Sequence, residues 1–224
     1  GGLITLTGTG GGGVGSWGVT HSFYDIRNTT GNIIINANSN SWGGFYNDYL
    51  GRVYTTSGQL IINANSASRA GTSGANIGDA GMSGNITFNT DSMSHSGGAI
   101  TTTGNVYFNP LTASRTIGLG NGAGDLNLSE SLLQAIAAAN VYVGNGTTNT
   151  GLITVGAADL HTKSYALLLR ATSGDIKFDM NGGTFYTTTA NFQTSTTTGD
   201  LTTGSAGTLY GSSSSSLWLE SGSD

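Results

Sequence analysis

Twelve carboxylates and three histidines are the side chains with which this chain of 224 residues could run acid–base or metal chemistry. Their spacing argues against it. Asp125, Asp175 and Asp200 each follow a glycine directly, where Asn32, Asn85 and Asn105 stand in similar phrases. Repeat phase therefore accounts for them as turn residues. Asp175 and Asp179 flank Lys177 on a predicted strand, which separates the two carboxylates by about 13 Å, wider than either geometry of glycoside hydrolysis. His21, His95 and His161 are far apart in sequence and lack metal-ligand spacing. No Gly-x-Ser-x-Gly elbow or Walker loop is present. Gly10–Gly13 is followed by neither a lysine nor a helical pattern, so it reads as a joint and not a phosphate cradle.

Aromatic side chains are the stronger lead. Trp42, Phe45, Tyr46 and Tyr49 cluster with Gly43, Gly44 and Asp48 between two strand-like phrases. Such rings can stack on sugars, make lateral contacts between copies, or fold over the outward aliphatic residues Ile34 and Ile61. Covering is the favoured expectation. Together with Tyr107, these residues form the candidate surface or assembly patch. No catalytic residue, metal ligand or cofactor is assigned.

Composition narrows the class further. The chain has 38 glycines, one proline and no cysteine, and only 8 % of its residues are charged. A net charge of −5 is too small to drive disorder. Glycine without a three-residue period excludes collagen. The scarcity of Lys and Glu disfavours a helical bundle, and seven cations make no nucleic-acid interface. No apolar run reaches the length of a membrane helix. The chain opens Gly1-Gly2-Leu3 without an initiator methionine, and is expected to be a mature product or a piece of something longer.

What positions these residues is a repeat. Gly31-Asn-Ile-Ile-Ile-Asn36, Gly58-Gln-Leu-Ile-Ile-Asn63, Gly84-Asn-Ile-Thr-Phe-Asn89 and Gly104-Asn-Val-Tyr-Phe-Asn109 share one phrase. Weaker copies begin at Gly124, Gly151, Gly174 and Gly199, and the mean spacing of 24 residues is about one coil of a parallel β-helix. The second and fourth positions after each glycine are apolar in fifteen of sixteen cases, which marks them as the buried face. The position between them runs Ile34, Ile61, Thr87, Tyr107, Asn127, Thr154, Lys177 and Thr202 and reads as the outer surface. Asn36, Asn63, Asn89 and Asn109 are expected at the turn, stacked as a structural amide ladder. The glycines are expected to supply positive φ. Ser129–Ala139, rich in Ala and Leu, predicts one short inserted helix near 129–139. The expected fold is all-β, a parallel β-helix of about eight coils. Residues 1–30 form a Gly-rich lead-in or first coil, 31–210 the helix, and 211–224 a Ser-rich tail or terminal strand.

Between Arg115 and Met180 the phrases become more specific. Arg115-Thr-Ile-Gly-Leu-Gly120, Gly124-Asp-Leu-Asn-Leu-Ser129, the short helix, Val141-Tyr-Val-Gly144, Thr150-Gly-Leu-Ile-Thr-Val155 and Tyr165-Ala-Leu-Leu-Leu-Arg-Ala171 follow in order. Over about 66 residues this resembles the repeat body of filamentous-haemagglutinin-like exoproteins. The resemblance implies a right-handed β-helix, exported by a two-partner or autotransporter-like route and displayed as an adhesive or structural fibre at a bacterial surface. No functional residue carries over, because the matched phrases are scaffold. The expected function is therefore a non-catalytic, extracellular segment that extends, displays or assembles a fibre. Its expected partners are further copies of the chain, packed end to end or laterally, and host or surface carbohydrate. The alternatives are a carbohydrate-active β-helix, lyase or glycosidase-like, and an ice-binding solenoid suggested by Thr187–Thr189 and Thr196–Thr198. Four outward residues, Thr87, Tyr107, Asn127 and Lys177, break the regular Thr row that the latter needs.

Overall fold

The computed structural model describes residues 1–13, 15–40, 43–48, 51–66, 70–73, 76–211 and 216–221. They form an all-β parallel solenoid of about eight turns with one short helix. Two compact units are distinguished, one made of residues 1–109 with 135–138, the other of 110–134 with 139–224.

In the first unit each coil crosses three parallel sheets. The longest sheet stacks Ile4–Gly10, Ile33–Ser39, Leu60–Ser66, Ile86–Thr90 and Asn105–Asn109. A second contains Trp17–Ser22, Gly43–Asp48, Ala70–Ser73 and Met93–His95, and a third Ile26–Asn28, Val53–Thr55, Ile77–Gly78, Ile100–Thr101 and Ile136–Ala137. The two-residue period of a strand turns alternate side chains inward. Ile33, Leu60, Ile86 and Val106 stack in one buried row, and Ile35, Ile62, Phe88 and Phe108 in the next. Phe88 and Phe108 lie parallel with centroids 5.2 Å apart. Each such burial contributes about 1.5–3 kcal/mol. Where the first and second sheets face each other the residues are small: a Cβ on Gly18 would lie 2.4 Å from the Asn38 carbonyl oxygen, and one on Gly44 would lie 2.5 Å from that of Ala37.

The second unit repeats this plan. One sheet holds Asn140–Val143, Ala166–Ala171, Phe192–Thr196 and Leu217–Glu220. Another orders Leu126–Leu128, Ile117–Leu119, Ile153–Val155, Ile176–Phe178 and Leu201–Thr203, and a third Ala158–Asp159, Thr184–Tyr186 and Thr208–Tyr210. The eight phrases thus make two ladders instead of one. The first four pair with one another, while the later four pair among themselves and around Ile117–Leu119, which sits between Leu126–Leu128 and Ile153–Val155.

Three local expectations are corrected. The helix spans only Glu130–Gln134, capped where the Ser129 hydroxyl accepts the Leu132 N–H. It stops because the carbonyls of Ala135 and Ala137 accept N–H donors from Ile100 and Thr102, which draws this stretch into a strand. Asn36 lies within the strand Ile33–Ser39 and not at a turn. Finally, none of the repeat glycines has positive φ; Gly15, Gly78, Gly97, Gly98, Gly120, Gly144 and Gly182 are the glycines that do among the described residues. The repeat glycines are required by close approach instead. A Cβ on Gly31 would meet the Gly2 carbonyl oxygen at 2.0 Å, on Gly58 that of Gly31 at 2.1 Å, and on Gly84 that of Gly58 at 1.7 Å.

Candidate binding surface

The outward face of the longest sheet in the first unit gathers three of the seven predicted patch residues, Ile34, Ile61 and Tyr107, together with the four asparagines. In-register pairing sets Thr5, Ile34, Ile61, Thr87 and Tyr107 in one row, and Thr7, Asn36, Asn63, Asn89 and Asn109 in the next. Thr9, Asn38 and Asn65 begin a third. Ile34, Ile61 and Tyr107 are half-buried. None of the five strands contains a charged residue.

The amide row is continuous. Asn63 Nδ2 donates to Asn36 Oδ1 at 2.8 Å, Asn89 Nδ2 to Asn63 Oδ1 at 2.7 Å, and Asn109 Nδ2 to Asn89 Oδ1 at 3.1 Å. Each interior amide accepts from one neighbour and donates to the other, which fixes its orientation. Parallel strands about 4.8 Å apart set that repeat distance. The result is a preorganised lattice of uncharged polar and aliphatic groups.

Other predicted residues do not join this face. Phe45 is 1 % exposed and belongs to the core, so it is no part of a surface patch. Tyr46 follows it on the strand Gly43–Asp48 in the second sheet, where its ring stacks on Trp17 at 4.6 Å. The segment is therefore a strand, not a covering loop over Ile34 and Ile61. Trp42 and Tyr49 lie outside the described residues.

Sequence reasoning missed a second set of side chains. Thr55, fully buried, accepts the Gly58 N–H at 3.0 Å and donates to the Gly31 carbonyl at 3.0 Å. Thr102 likewise serves Gly104 and Gly84, and Thr196 serves Gly199 and Gly174. In the coil before, Asn28 accepts from Gly31 and donates to Gly2. The signal was present as Asn28-Thr-Thr-Gly31, Thr55-Thr-Ser-Gly58 and Thr196-Thr-Thr-Gly199.

Several charged groups hold neighbouring coils together. Arg52 bridges Asp25 at 2.9 Å and Asp79 at 2.7 Å, and its hydrogen bonds hold the Asp25 carboxyl below its usual range. Asp179 is held down to about 2, chiefly by Lys177 at 2.7 Å and also by Ser205. Asp175 accepts the Asp200 N–H at 2.9 Å, and Asp125 accepts the Thr116 hydroxyl at 2.9 Å. His21 sits between Asn47 and the Tyr24 carbonyl. Among the described residues no three His, Asp or Glu side chains converge on a cation site. No helix among them is long and apolar enough to cross a membrane.

Compared with known proteins, the chain matches no family model, no curated sequence and no solved structure.

Proposed function

We propose that this chain is a non-catalytic, extracellular structural segment that extends, displays or assembles a fibre at a bacterial surface. The carrying observation is the charge-free lattice of Ile34, Ile61, Tyr107 and the hydrogen-bonded Asn36–Asn109 row. Exposed sheet faces on soluble proteins ordinarily carry charges that block association. A face of regular amides and aliphatics favours adhesion to another ordered surface, above all a second copy of itself, because like rows interdigitate at a common spacing. The likeness of Arg115–Met180 to haemagglutinin-like repeat bodies agrees with an exported passenger.

Electron microscopy of the purified chain tests the reading. Ordered filaments or laterally packed arrays are expected on concentration. Dispersed particles at every concentration, with no retention on bacterial or host-cell surfaces, would overturn it.

A further inference from the structure

The second unit carries an open cleft of about 490 Å³ that the fibre reading does not use. Its walls are the Gly120–Asn121 turn, Glu130 of the short helix, and the outward side of the paired strands Ala158–Asp159 and Thr184–Tyr186, a sheet that Thr208–Tyr210 continues beyond the cleft. Strand pairing sets Asp159, Tyr186 and Tyr210 in one row, and their neighbours Ala158 and Phe185 point into the core. Tyr186 and Tyr210 are 38 % and 57 % exposed, with ring centroids 5.5 Å apart. Two exposed tyrosines in register present an amphipathic platform, apolar on the ring face and polar at the hydroxyl.

The polar groups around that platform are held in place. His161 Nδ1 lies 2.5 Å from Asp159 Oδ1 and keeps this carboxyl below its ordinary range. Gln134 Nε2 donates both to Glu130 Oε1 and to the Asp159 carbonyl, each at 2.9 Å, which ties the helix to the sheet. Asn121 Oδ1 accepts the Ala157 N–H at 2.5 Å, so the amide nitrogen is left to donate elsewhere. Each carboxylate thus retains an acceptor oxygen outside these bonds, and Asn121 and Thr184 supply donors.

This chemistry selects one class of ligand. Two carboxylates oppose a phosphate, sulfate or uronate, and the nearby Lys163 ammonium donates to the Gln134 carbonyl at 2.7 Å. A polar rim disfavours a purely apolar guest. An aromatic face flanked by acceptors and donors suits a ring with one apolar C–H face and several hydroxyls.

We propose that this cleft binds a neutral saccharide, with one pyranose ring on Tyr186 and its hydroxyls shared between Glu130 and Asp159. The site stands independently of fibre assembly. The test is NMR titration of the full chain with cello-, xylo-, manno-, malto- and chito-tetraose, and with tetragalacturonate. At least one neutral sugar is expected to shift the Tyr186 resonances saturably. Tyr186→Ala and Glu130→Gln should each weaken it about tenfold or more, and Tyr186→Phe should retain it. Three results would overturn the proposal. One is no shift by any neutral sugar up to about 10 mM, near the weak limit of specific recognition. The others are binding indifferent to Tyr186→Ala, and preference for the galacturonate.

Discussion

Replacing Gly84 with valine is expected to destabilise the first unit by about 3–5 kcal/mol, among the largest effects open to a single substitution. The reason is not local conformation, since Gly84 is not among the positive-φ residues. A Cβ there would fall 1.7 Å from the Gly58 carbonyl oxygen and 2.5 Å from its carbonyl carbon. Those atoms are backbone, and the Gly58 N–H is in turn held by Thr55. Relief would need the coils to part locally, breaking the pairing of Ile86–Thr90 with Leu60–Ser66. Gly12→Ala is the control, because nothing lies within 4 Å of a Cβ at that position. Urea denaturation followed by tryptophan fluorescence should show a large fall in midpoint for Gly84→Val and almost none for Gly12→Ala. Equal midpoints would contradict the stacked-glycine account.

Thr55→Val should cost about 2–4 kcal/mol despite matching the threonine in shape. The valine cannot accept from Gly58 N–H or donate to the Gly31 carbonyl, so a buried backbone donor and a half-buried acceptor lose their partner at once. Thr55→Ser keeps both bonds and should recover most of the loss. The same denaturation experiment checks this, and hydrogen exchange adds a local readout: the Gly58 amide should exchange much faster in the valine variant than in the serine variant. If valine and serine behave alike, packing of the methyl and not the hydrogen bonds explains the burial of Thr55.

These two sites also show where sequence reading succeeds and fails. The inward rows were legible because strand periodicity is local: Ile33/Ile35, Leu60/Ile62 and Ile86/Phe88 alternate within five residues. The outward rows follow from the same alternation, which is why Ile34, Ile61, Tyr107 and the four asparagines lie on one face. Contacts between coils are a different matter. Gly58 looks like a turn residue until the carbonyl of Gly31, 27 positions earlier, is seen beneath it. Thr55 looks like one more threonine in a Thr-rich chain for the same reason. Phe45 was misplaced because glycines on both sides of an aromatic cluster suggest a loop, whereas Gly44 is small in order to pass Ala37 and Ala64. In the inserted segment, helix propensity favours continuing through Ala139, yet the N–H groups of Ile100 and Thr102 claim the backbone first. The cleft at Tyr186 was hidden too: Asn121, Glu130, Asp159 and Tyr186 converge from four separate stretches of chain.

The glycine, threonine and asparagine ladders divide the work of joining coils. Glycine lets one backbone lie on the next, threonine or asparagine satisfies the buried polar groups at that crossing, and the outer asparagines lock the exposed face. Side-chain charge is needed for little of this, which accounts for its scarcity. It also leaves one broad face with no electrostatic guard.

Sedimentation velocity of the wild-type chain beside an Ile34→Lys/Ile61→Lys variant tests that consequence most directly. Both isoleucines are half-buried on the outward row, so lysine can direct its ammonium to solvent without entering the core. A Thr162→Lys/Ser164→Lys variant adds the same charge at exposed positions that are not part of the face. The wild type and this control are expected to form larger species as concentration rises, and the Ile34/Ile61 variant to remain monomeric. Association unchanged by the two lysines, or a wild type that never associates, would contradict the assignment of this face to assembly.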